Sequence, residues 1–479
     1  MLASTRSLFF VLYKAVTELY PECRLQIDSN VSNGFYCHLA HVKNFDADAI
    51  KKRMREIVDA KIPFVRHEVP KAQAIELFRQ QGQRHKALLL ETTGKGNVEY
   101  FTLEDTANSF YGPMLKSTDE IGNFDVLPYD AGLLLRLPSP EDPTKLLPFV
   151  PQPKMLSVFR EYHRWQNIMG LSTVGEMNAV TKEGHTSEMI NVSEAMQEKQ
   201  IIKIADHIAQ HKQIKVVLIA GPSCSGKTTF SKRLSIQLMA NGMKPVAISL
   251  DNYFVNRVDT PLDEFGHYDF ESIYAMKIDL LNEHLTALLN GEEIELPFYN
   301  FKTGLSEKSG QMLRLQPETV LILEGIHALN PLFTEQIPAE RKYRVFASAL
   351  TSILLDDHNY IATTDNRLIR RMVRDYKYRG YTAEQTIHGW KSVRRGEEKW
   401  LTPFQEDADV LINTALLFEL ACLRDQALPL LDGVPADSEE RAEADRLTRL
   451  LKYLKPISIK TLPPTSLLRE FVGGSSFSY

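Results

Sequence analysis

Residues 215–228 read Lys-Val-Val-Leu-Ile-Ala-Gly-Pro-Ser-Cys-Ser-Gly-Lys-Thr. The first part is a short apolar run rich in β-branched residues, which is typical of a strand buried on both faces of a parallel sheet. The second part matches the phosphate-loop pattern GxxxxGK[ST] in full. Phe230, Leu234 and Leu238 then follow at helical spacing. A strand, a glycine-rich loop and a helix in this order predict binding of a nucleoside triphosphate.

Each fixed residue type in this loop has a chemical reason. Gly221 and Gly226 permit tight backbone conformations that point N–H groups at phosphate oxygens. Lys227 places a positive charge at the β- and γ-phosphates and is a predicted catalytic residue, and the Thr228 hydroxyl is a predicted Mg²⁺ ligand. The predicted nucleotide-binding residues of the loop are Gly221, Pro222, Ser223, Cys224, Ser225, Gly226, Lys227, Thr228 and Thr229. The guanine-reading pattern Asn-Lys-x-Asp is absent from the sequence, which favours ATP over GTP.

Further apolar runs place the loop in a larger domain. They lie at residues 245–250, 320–323, 343–347 and 409–412. Helical patterns separate these runs, and one such pattern, at residues 191–210, precedes the phosphate-loop strand. Strands that alternate with helices predict an α/β fold, a doubly wound parallel sheet.

The first 140 residues have a different pattern. Helices are predicted at 46–60 and 71–80, and strands at 64–69, 86–91 and 99–103. This mixture predicts an α+β domain with its own core. Three prolines within residues 137–143 then indicate a boundary. We therefore expect a domain at 1–140, a linker with helices at 141–200, the phosphate-loop domain at 201–430, and a helix at 438–452 followed by an extended tail within 431–479.

Composition excludes several classes of protein. The chain has 479 residues and a net charge of −5, with 43% hydrophobic and 24% charged residues, which is typical of a folded globular protein. Its four cysteines show no metal-binding spacing and are expected to be free thiols. No apolar stretch is long enough to span a bilayer, and the run at residues 8–13 is too short and poorly flanked for a signal peptide. We expect a cytoplasmic protein.

Two carboxylates follow predicted strands directly. Asp251 comes after the run at 245–250 and Glu324 after the run at 320–323. At the carboxyl edge of a parallel sheet, Asp251 could accept the proton of an acceptor hydroxyl, and Glu324 could bind Mg²⁺. Both could also be plain turn residues. Five arginines at 367–379 recur at helical steps and predict a basic helix that closes over the triphosphate as a lid, the alternative being a solvated basic face.

Residues 215–424 resemble the uridine kinase branch of the phosphoribulokinase/uridine kinase group. The segments that carry the resemblance are GPSCSGKTTF, SLDNYF, HYDFES, LPFYNF, LILEGIHAL and RLIRRMVRDYKYRGYT. The resemblance implies ATP and Mg²⁺ as cofactors, Asp251 as the general base at a ribose 5′-hydroxyl, Asp269 at the ribose hydroxyls and Tyr299 in the nucleoside pocket. It further implies that Arg371, Arg374 and Arg379 contact the phosphates.

The resemblance predicts a nucleoside kinase of uridine kinase type, active in nucleoside salvage and forming a homo-oligomer. Three departures weaken the assignment of the acceptor: Gly304 stands in place of a base-reading histidine, Tyr381 in place of an arginine and Gly389 in place of a glutamine. Discrimination between substrates depends on such hydrogen-bonding groups. A kinase of another hydroxylated metabolite, such as a sugar phosphate, and a nucleotide-gated RNA-binding or regulatory protein remain as alternatives.

Residues 1–140 are similar to the second N-terminal domain of threonyl-tRNA synthetase, which carries a hydrolytic editing site. The resemblance rests on residues 18–21, 31–36 and 46–60, and on Tyr-Gly-Pro at 111–113. The family's histidine pair, cysteine and final histidine correspond to Arg6, Phe10, Phe110 and Met114. None of these side chains can serve as a metal ligand or general base of the required kind. We predict a domain without editing activity that serves in binding, regulation or assembly, with tRNA or RNA binding as the less favoured role.

Overall fold

The computed structural model describes residues 2–94 and 96–479, and this chain forms two compact units. The first unit contains Met1–Thr186, Thr351–Ala362 and Arg449–Lys455. The second contains Ser187–Leu350, Thr363–Thr448 and Pro456–Tyr479. The sequence predicts contiguous domains, whereas each unit of the structure is assembled from three separate segments.

A five-stranded parallel sheet forms the centre of the second unit. In spatial order its strands are Val410–Asn413, Lys342–Ser348, Val216–Ala220, Thr319–Glu324 and Lys244–Ser249. The strand that leads into the phosphate loop is therefore central, and its residues Val216–Ala220 are all buried. This confirms the predicted α/β fold with a parallel sheet, and each predicted strand lies within one or two residues of its observed position.

Helices and one hairpin complete the second unit. The helices are Thr186–Gln210, Lys227–Ala240, Ile278–Leu289, Thr363–Arg379, Ala383–Trp400, Glu419–Asp432 and Arg469–Val472, together with residues 441–448 of the helix Arg441–Lys452. We call Thr363–Arg379 the lid helix. Strands Glu293–Asn300 and Leu305–Arg314 pair as an antiparallel hairpin, here called the acceptor hairpin. Apolar side chains from the helices Thr186–Gln210 and Lys227–Ala240 pack with those of the sheet in one buried core.

The first unit is built on antiparallel sheets. One contains Arg24–Val31, Gly34–Ala40, Gly132–Arg136 and Asp125–Tyr129, and a second contains Val65–Pro70, Asn97–Leu103 and Thr106–Asn108. Its helices are Ala3–Leu19, Ala47–Asp59, Lys71–Gln80, Arg84–Thr92, Pro153–Met169 and Val174–Glu183. Short strands Leu354–Asp356 and Asn359–Tyr360 pair with each other. The predicted helices at 46–60 and 71–80 and strands at 64–69 and 99–103 are confirmed.

The helix Ala3–Leu19 lies in the middle of the first unit's core. All residues from Thr5 to Val16 are buried, including Arg6 and Lys14. A helix that is covered on every side has no polar face, so its sequence lacks the periodicity of an amphipathic helix. The apolar run at residues 8–13 belongs to this buried helix.

The predicted strand at 86–91 is wrong, because this stretch lies in the helix Arg84–Thr92. A short apolar run is compatible with either state, and the leucines at 88–90 favour a helix over a strand. The predicted extended tail is also only partly correct. Residues 459–461 form a 3₁₀ turn, and a short helix follows at Arg469–Val472.

Residues 351–362 place a buried carboxylate, Asp356, in the first unit. The Lys86 ammonium donates to Asp356 Oδ2 at 2.9 Å and to the Ser109 carbonyl at 2.9 Å. The Tyr111 hydroxyl and the Asn359 amide also donate to this carboxylate. Asp356 is 0% and Lys86 2% exposed, so both charges are fully desolvated and depend on each other.

A second carboxylate of the same segment, Asp357, holds two cations. Arg24 donates to it at 2.8 Å, and His85 lies between Asp357 at 2.9 Å and Glu176 at 3.3 Å. Burial disfavours the charged imidazole, but the hydrogen bonds to Asp357 and Glu176 outweigh it and raise the pKa of His85 to about 9. Burial likewise opposes ionisation of Asp357, yet its bonds from His85 and Arg24 lower its pKa well below the usual range. Residues 351–362 thus supply the carboxylates that pair with buried and half-buried cations of the first unit.

Candidate active site

Three loops that carry predicted site residues leave the sheet at the same edge. Glu324, the last residue of its strand, pairs with Ile219 on one side and with Ser249 on the other. The phosphate loop begins two residues after Ile219, and Asp251 lies two residues after Ser249. The parallel register therefore brings the phosphate loop, Glu324 and Asp251 to one carboxyl edge, where open α/β sheets bind ligands.

The phosphate loop, residues 221–228, runs into the helix Lys227–Ala240. Gly226 has φ +80°, a left-handed conformation that a side chain would strain. Cys224 also has positive φ, +59°, and is buried, so its thiol is not the exposed group that its place in a loop suggests. The Lys227 ammonium donates to the Pro222 carbonyl across the loop at 3.1 Å. The loop is closed on itself, with the positive end of the helix dipole beneath it.

Thr228 and Glu324 meet where the sequence predicts Mg²⁺. The Thr228 hydroxyl donates to Glu324 Oε1 at 3.2 Å. Burial, together with the neighbouring negative charge of Asp251, raises the pKa of Glu324 to about 7. Hydroxyl and carboxylate oxygens are the hard ligands that Mg²⁺ prefers, and a kinase metal takes its remaining ligands from phosphates and water. These two residues therefore fit a magnesium ion, which would relieve the repulsion around Glu324.

Asp251 begins a 3₁₀ turn directly after its strand. The Asp251 backbone N–H donates to the Ser249 hydroxyl at 3.4 Å, so the residue that caps this turn is Ser249 and not Asp251. The Asp251 carboxylate is half-buried and close enough to Glu324 and Glu271 to raise the pKa of both. The Asp251 carboxylate is thus an acidic group at the sheet edge that does not cap its own turn.

The predicted phosphate-contacting arginines gather around one carboxylate. Arg371, Arg374 and Arg379 all lie within 4 Å of Asp375, at 3.3, 2.7 and 3.6 Å. Arg371 also donates to the Ser223 hydroxyl in the phosphate loop at 2.9 Å. One carboxylate cannot neutralise three guanidiniums, so the end of the lid helix carries excess positive charge beside the loop.

The two other arginines of this helix are buried and paired, so the predicted basic helix does not expose all five of its arginines. Arg367 pairs with the buried Glu397 and donates to the Ser223 carbonyl at 3.0 Å. Arg370 is 0% exposed, pairs with Glu419 at 2.5 Å and donates to the Cys224 carbonyl at 3.2 Å. A guanidinium is buried only when paired. Both residues therefore brace the loop from behind.

Tyr299 lies in an aromatic cluster at the acceptor hairpin. It is 3% exposed, and its ring centroid is 5.4 Å from that of Phe254 and 5.0 Å from that of Phe301. Arg379 extends over the Phe301 ring at 5.7 Å, which connects the lid helix with this cluster. Asp269 is less directly connected: its carboxylate accepts from the nearby Glu271 backbone N–H at 3.2 Å. Aromatic faces beside a cation are suited to stacking a flat ring.

Gly304 closes the acceptor hairpin in a conformation suited to glycine. Its φ is +74°, and a Cβ atom built here would lie 2.8 Å from Cβ and 2.9 Å from Cζ of Arg257. Arg257 in turn donates to the Phe301 carbonyl at 2.8 Å. A guanidinium thus takes the space that a side chain at position 304 would enter. Of the other two departures, Tyr381 is exposed, and a Cβ added at Gly389 would meet open space.

Several acidic and imidazole groups near the loop were not predicted from the sequence. Glu397 accepts from the Ser223 backbone N–H at 3.0 Å, and Glu470 accepts from Thr229. Burial raises the pKa of Glu271 to about 7, helped by the charge of Glu397, and burial lowers the pKa of His327 to about 4. Glu271 and His327 lie inside the quoted segments HYDFES and LILEGIHAL, so a signal existed for them. Glu397 and Glu470 lie far along the chain outside any motif.

In the first unit, the four positions of the predicted lost editing site do come together. Arg6 donates to the Pro113 carbonyl at 2.9 Å, and the Phe10 ring is 5.6 Å from that of Phe110. Met114 packs against the same core. An arginine and apolar side chains fill this space, and the absence of a hydrolytic function stays a prediction. The resemblance to the synthetase domain itself stays a prediction.

Across residues 2–94 and 96–479, no helix combines the length and apolarity needed to cross a membrane. The same residues contain no group of three or more histidine, cysteine, aspartate or glutamate side chains arranged to hold a metal. A magnesium ion that takes most of its ligands from phosphates and water would not need such a group.

The similarity to known proteins lies in the region that contains the phosphate loop and the parallel sheet. Residues 216–417 match the Phosphoribulokinase / Uridine kinase family. The uridine kinase of Halalkalibacterium halodurans is 34% identical over 199 residues, 41% of this chain and 84% of that protein. The uridine kinase of Halobacterium salinarum is 30% identical over 196 residues, 40% of this chain and 77% of that protein. A solved structure described as a possible uridine kinase from Bacillus stearothermophilus aligns with a TM-score of 0.31 and 20% identity, covering 45% of this chain and 98% of that one.

Proposed function

Because the chain belongs to the phosphoribulokinase/uridine kinase family, we propose that it transfers the γ-phosphoryl group of ATP to the ribose 5′-hydroxyl of a nucleoside, uridine or cytidine. The protein is a kinase, that is, a phosphotransferase with an alcohol as acceptor. Nucleoside identity, the cofactors and the roles of single residues are parts of the proposal.

One observation carries the proposal: the phosphate loop, Glu324 and Asp251 leave three neighbouring strands at the same edge of the sheet. Phosphoryl transfer needs a triphosphate held in place and an acceptor oxygen in line with the γ-phosphorus. The loop supplies the first requirement. Asp251, two residues beyond the strand Lys244–Ser249, is suitably placed to orient the acceptor.

In this proposal Asp251 accepts the proton of the 5′-hydroxyl as the oxygen attacks. Lys227, Arg371 and Arg374 offset the negative charge that spreads over the transferred group. Thr228 and Glu324 would hold Mg²⁺, whose contribution when bound is to neutralise phosphate charge. Tyr299 and its aromatic neighbours would stack the base, and Asp269 would bind the ribose hydroxyls.

The experiment compares acceptors and one substitution. Uridine, cytidine, purine nucleosides and sugar phosphates are each supplied with ATP and Mg²⁺, and phosphorylated product is measured by mass spectrometry. Turnover of uridine or cytidine supports the proposal, whereas turnover of a sugar phosphate alone would reassign the acceptor to another metabolite. An ATPase that ignores every acceptor would instead favour a nucleotide-gated regulatory protein.

The substitution Asp251→Asn should lower kcat by roughly 10²–10⁴-fold with ATP affinity unchanged, because a positioned general base contributes about that factor. Asp259→Asn is the matched control, since Asp259 is an exposed aspartate in the same stretch of chain. Full activity of the Asp251 variant would remove the proposed base. Equal losses in both variants would point to damage of the loop rather than of the chemistry.

A further inference from the structure

The C-terminal segment, residues 456–479, packs against the phosphate loop within the second unit. A Cβ atom built on Gly226 would lie 2.4 Å from Cδ2 of Leu467. The ring of Phe471 lies 5.0 Å from the Arg370 guanidinium, and Lys377 donates to the Val472 carbonyl at 2.5 Å. The segment is therefore seated on the loop and on the lid helix.

The carboxylate of Glu470 lies at the start of the phosphate-loop helix. Its Oε2 accepts two hydrogen bonds from Thr229, one from the backbone N–H at 3.2 Å and one from the hydroxyl at 2.6 Å. The Tyr479 hydroxyl is 2.9 Å from the same Thr229 oxygen. Because that oxygen gives its proton to the carboxylate, Tyr479 donates to it. Glu470 and Tyr479 of the C-terminal segment thus both form hydrogen bonds with Thr229.

The donors that Glu470 occupies are of the kind that bind phosphate. First-turn N–H groups of a helix that follows a phosphate loop point at anions, and the positive end of the helix dipole favours them. A carboxylate and a nucleotide phosphate compete for such donors, and their like charges prevent both from being there together. Thr229 directly follows the last residue of the GxxxxGK[ST] pattern.

We propose that Glu470 is an internal substitute for a nucleotide phosphate, and that the C-terminal segment is an autoinhibitory strap that must move aside before a nucleotide binds. This inference rests on the proposed nucleotide binding of the loop and adds a means of regulating it. Nucleotide binding and strap release are then one equilibrium, so whatever stabilises the seated segment weakens the apparent affinity for nucleotide.

Charges around Glu470 agree with this arrangement. Burial lowers the pKa of Arg374, but nearby negative charges, including those of Asp375 and Glu470, outweigh it and raise the pKa. With the strap seated, Glu470 therefore offsets part of the positive charge of a predicted phosphate-contacting arginine. Its departure would leave that charge to a nucleotide phosphate.

The test is nucleotide binding without an acceptor, measured by titration calorimetry with ADP and with Mg²⁺ plus a non-hydrolysable ATP analogue. Glu470→Gln keeps the size of the side chain and removes its charge. We expect about tenfold tighter binding than in the unsubstituted protein, since a hydrogen bond to a charged group contributes about 1.4 kcal/mol or more. Tyr479→Phe should give a smaller gain in the same direction. Glu439→Gln, at an exposed glutamate of the same unit, is the control and should change nothing.

A second readout follows the strap itself. Tryptic cleavage after Arg469, which is half-buried and donates to the Leu462 carbonyl at 2.6 Å, should accelerate when the ATP analogue is added. Unchanged or weaker nucleotide affinity in the Glu470 variant, with normal melting curves, would overturn the strap while leaving the proposed kinase intact. Failure of every variant, including Tyr479→Phe, to bind any nucleotide would refute the proposed function. The proposed competition between Glu470 and a nucleotide phosphate would then be refuted as well.

Discussion

Replacing Lys86 by methionine tests whether residues 351–362 are an integral part of the first unit. The substitution keeps most of the volume of the side chain and removes its charge. Asp356, 0% exposed, then keeps its bonds from Tyr111 and Asn359 but has no counter-charge. Removing one partner of a buried pair costs about 3–5 kcal/mol, because an uncompensated charge remains in the interior. We expect a loss of that size in the free energy of unfolding.

The matched control lies on another helix of the first unit, Lys71–Gln80. Arg79 pairs with Glu91 at 2.6 Å, but their side chains are 57% and 34% exposed. Exposed ion pairs contribute about 0–1 kcal/mol, so Arg79→Met should cost no more than that. Combining Lys86→Met with Asp356→Asn removes both buried charges and should recover a large part of the loss.

The assay is urea denaturation followed by circular dichroism, with hydrogen exchange to locate the opening. Peptides of the helix Arg84–Thr92 and of residues 351–362 should lose protection together in the Lys86 variant. A loss no larger than that of Arg79→Met would refute the argument, as would a double variant as unstable as the sum of the two single ones. Either result would mean that the pair is not buried as the structure shows.

Two other predictions follow from charged groups. Arg370→Ala should lower the free energy of unfolding by about 3–5 kcal/mol, because Glu419 would stay buried without a partner. Arg374→Ala should instead lower kcat by about 10²-fold at nearly unchanged melting temperature. If Arg374→Ala lost stability and Arg370→Ala lost only kcat, the division of the lid helix into loop-supporting and phosphate-contacting arginines would be contradicted. The pKa of His85, about 9, lies above the unfolded value near 6.5, so its contribution to stability should be complete below about pH 6.5 and disappear as pH rises through about 9. The difference in melting temperature between the unsubstituted protein and His85→Gln, measured from pH 6 to 10, should shrink over that range, and a difference that grew with pH would show that His85 is not held as a cation.

The parallel sheet of the second unit could be predicted because its signals are local. Each strand is a short, mostly apolar run with at least one β-branched residue, and the phosphate loop is a contiguous pattern of eight residues. The order of strands and carboxylates along the chain then sufficed to place Asp251 and Glu324 at one edge. Parallel strands have a fixed direction, so the residue after each strand must appear on the same side.

Features that depend on contacts between distant residues could not be predicted in this way. Ser223 and Glu397 are 174 residues apart, and Thr229 and Glu470 are 241 apart, so no pattern of spacing connects them. The buried helix Ala3–Leu19 lacks a polar face and hence a period. Lys86 is of a residue type that is usually exposed, and its main counter-charge, Asp356, is 270 residues away in the sequence.

The alternation of segments between the two units has a consequence for biosynthesis. Residues 351–362 and 449–455 complete the first unit, yet they leave the ribosome long after Thr186. At about 5–20 residues per second, the first unit waits on the order of tens of seconds for them. Throughout that interval Lys86 has no carboxylate to accompany it out of water, so the cost of desolvating its ammonium keeps the helix Arg84–Thr92 from docking early. We therefore expect the first unit to complete its core only after residues 351–362 have been translated.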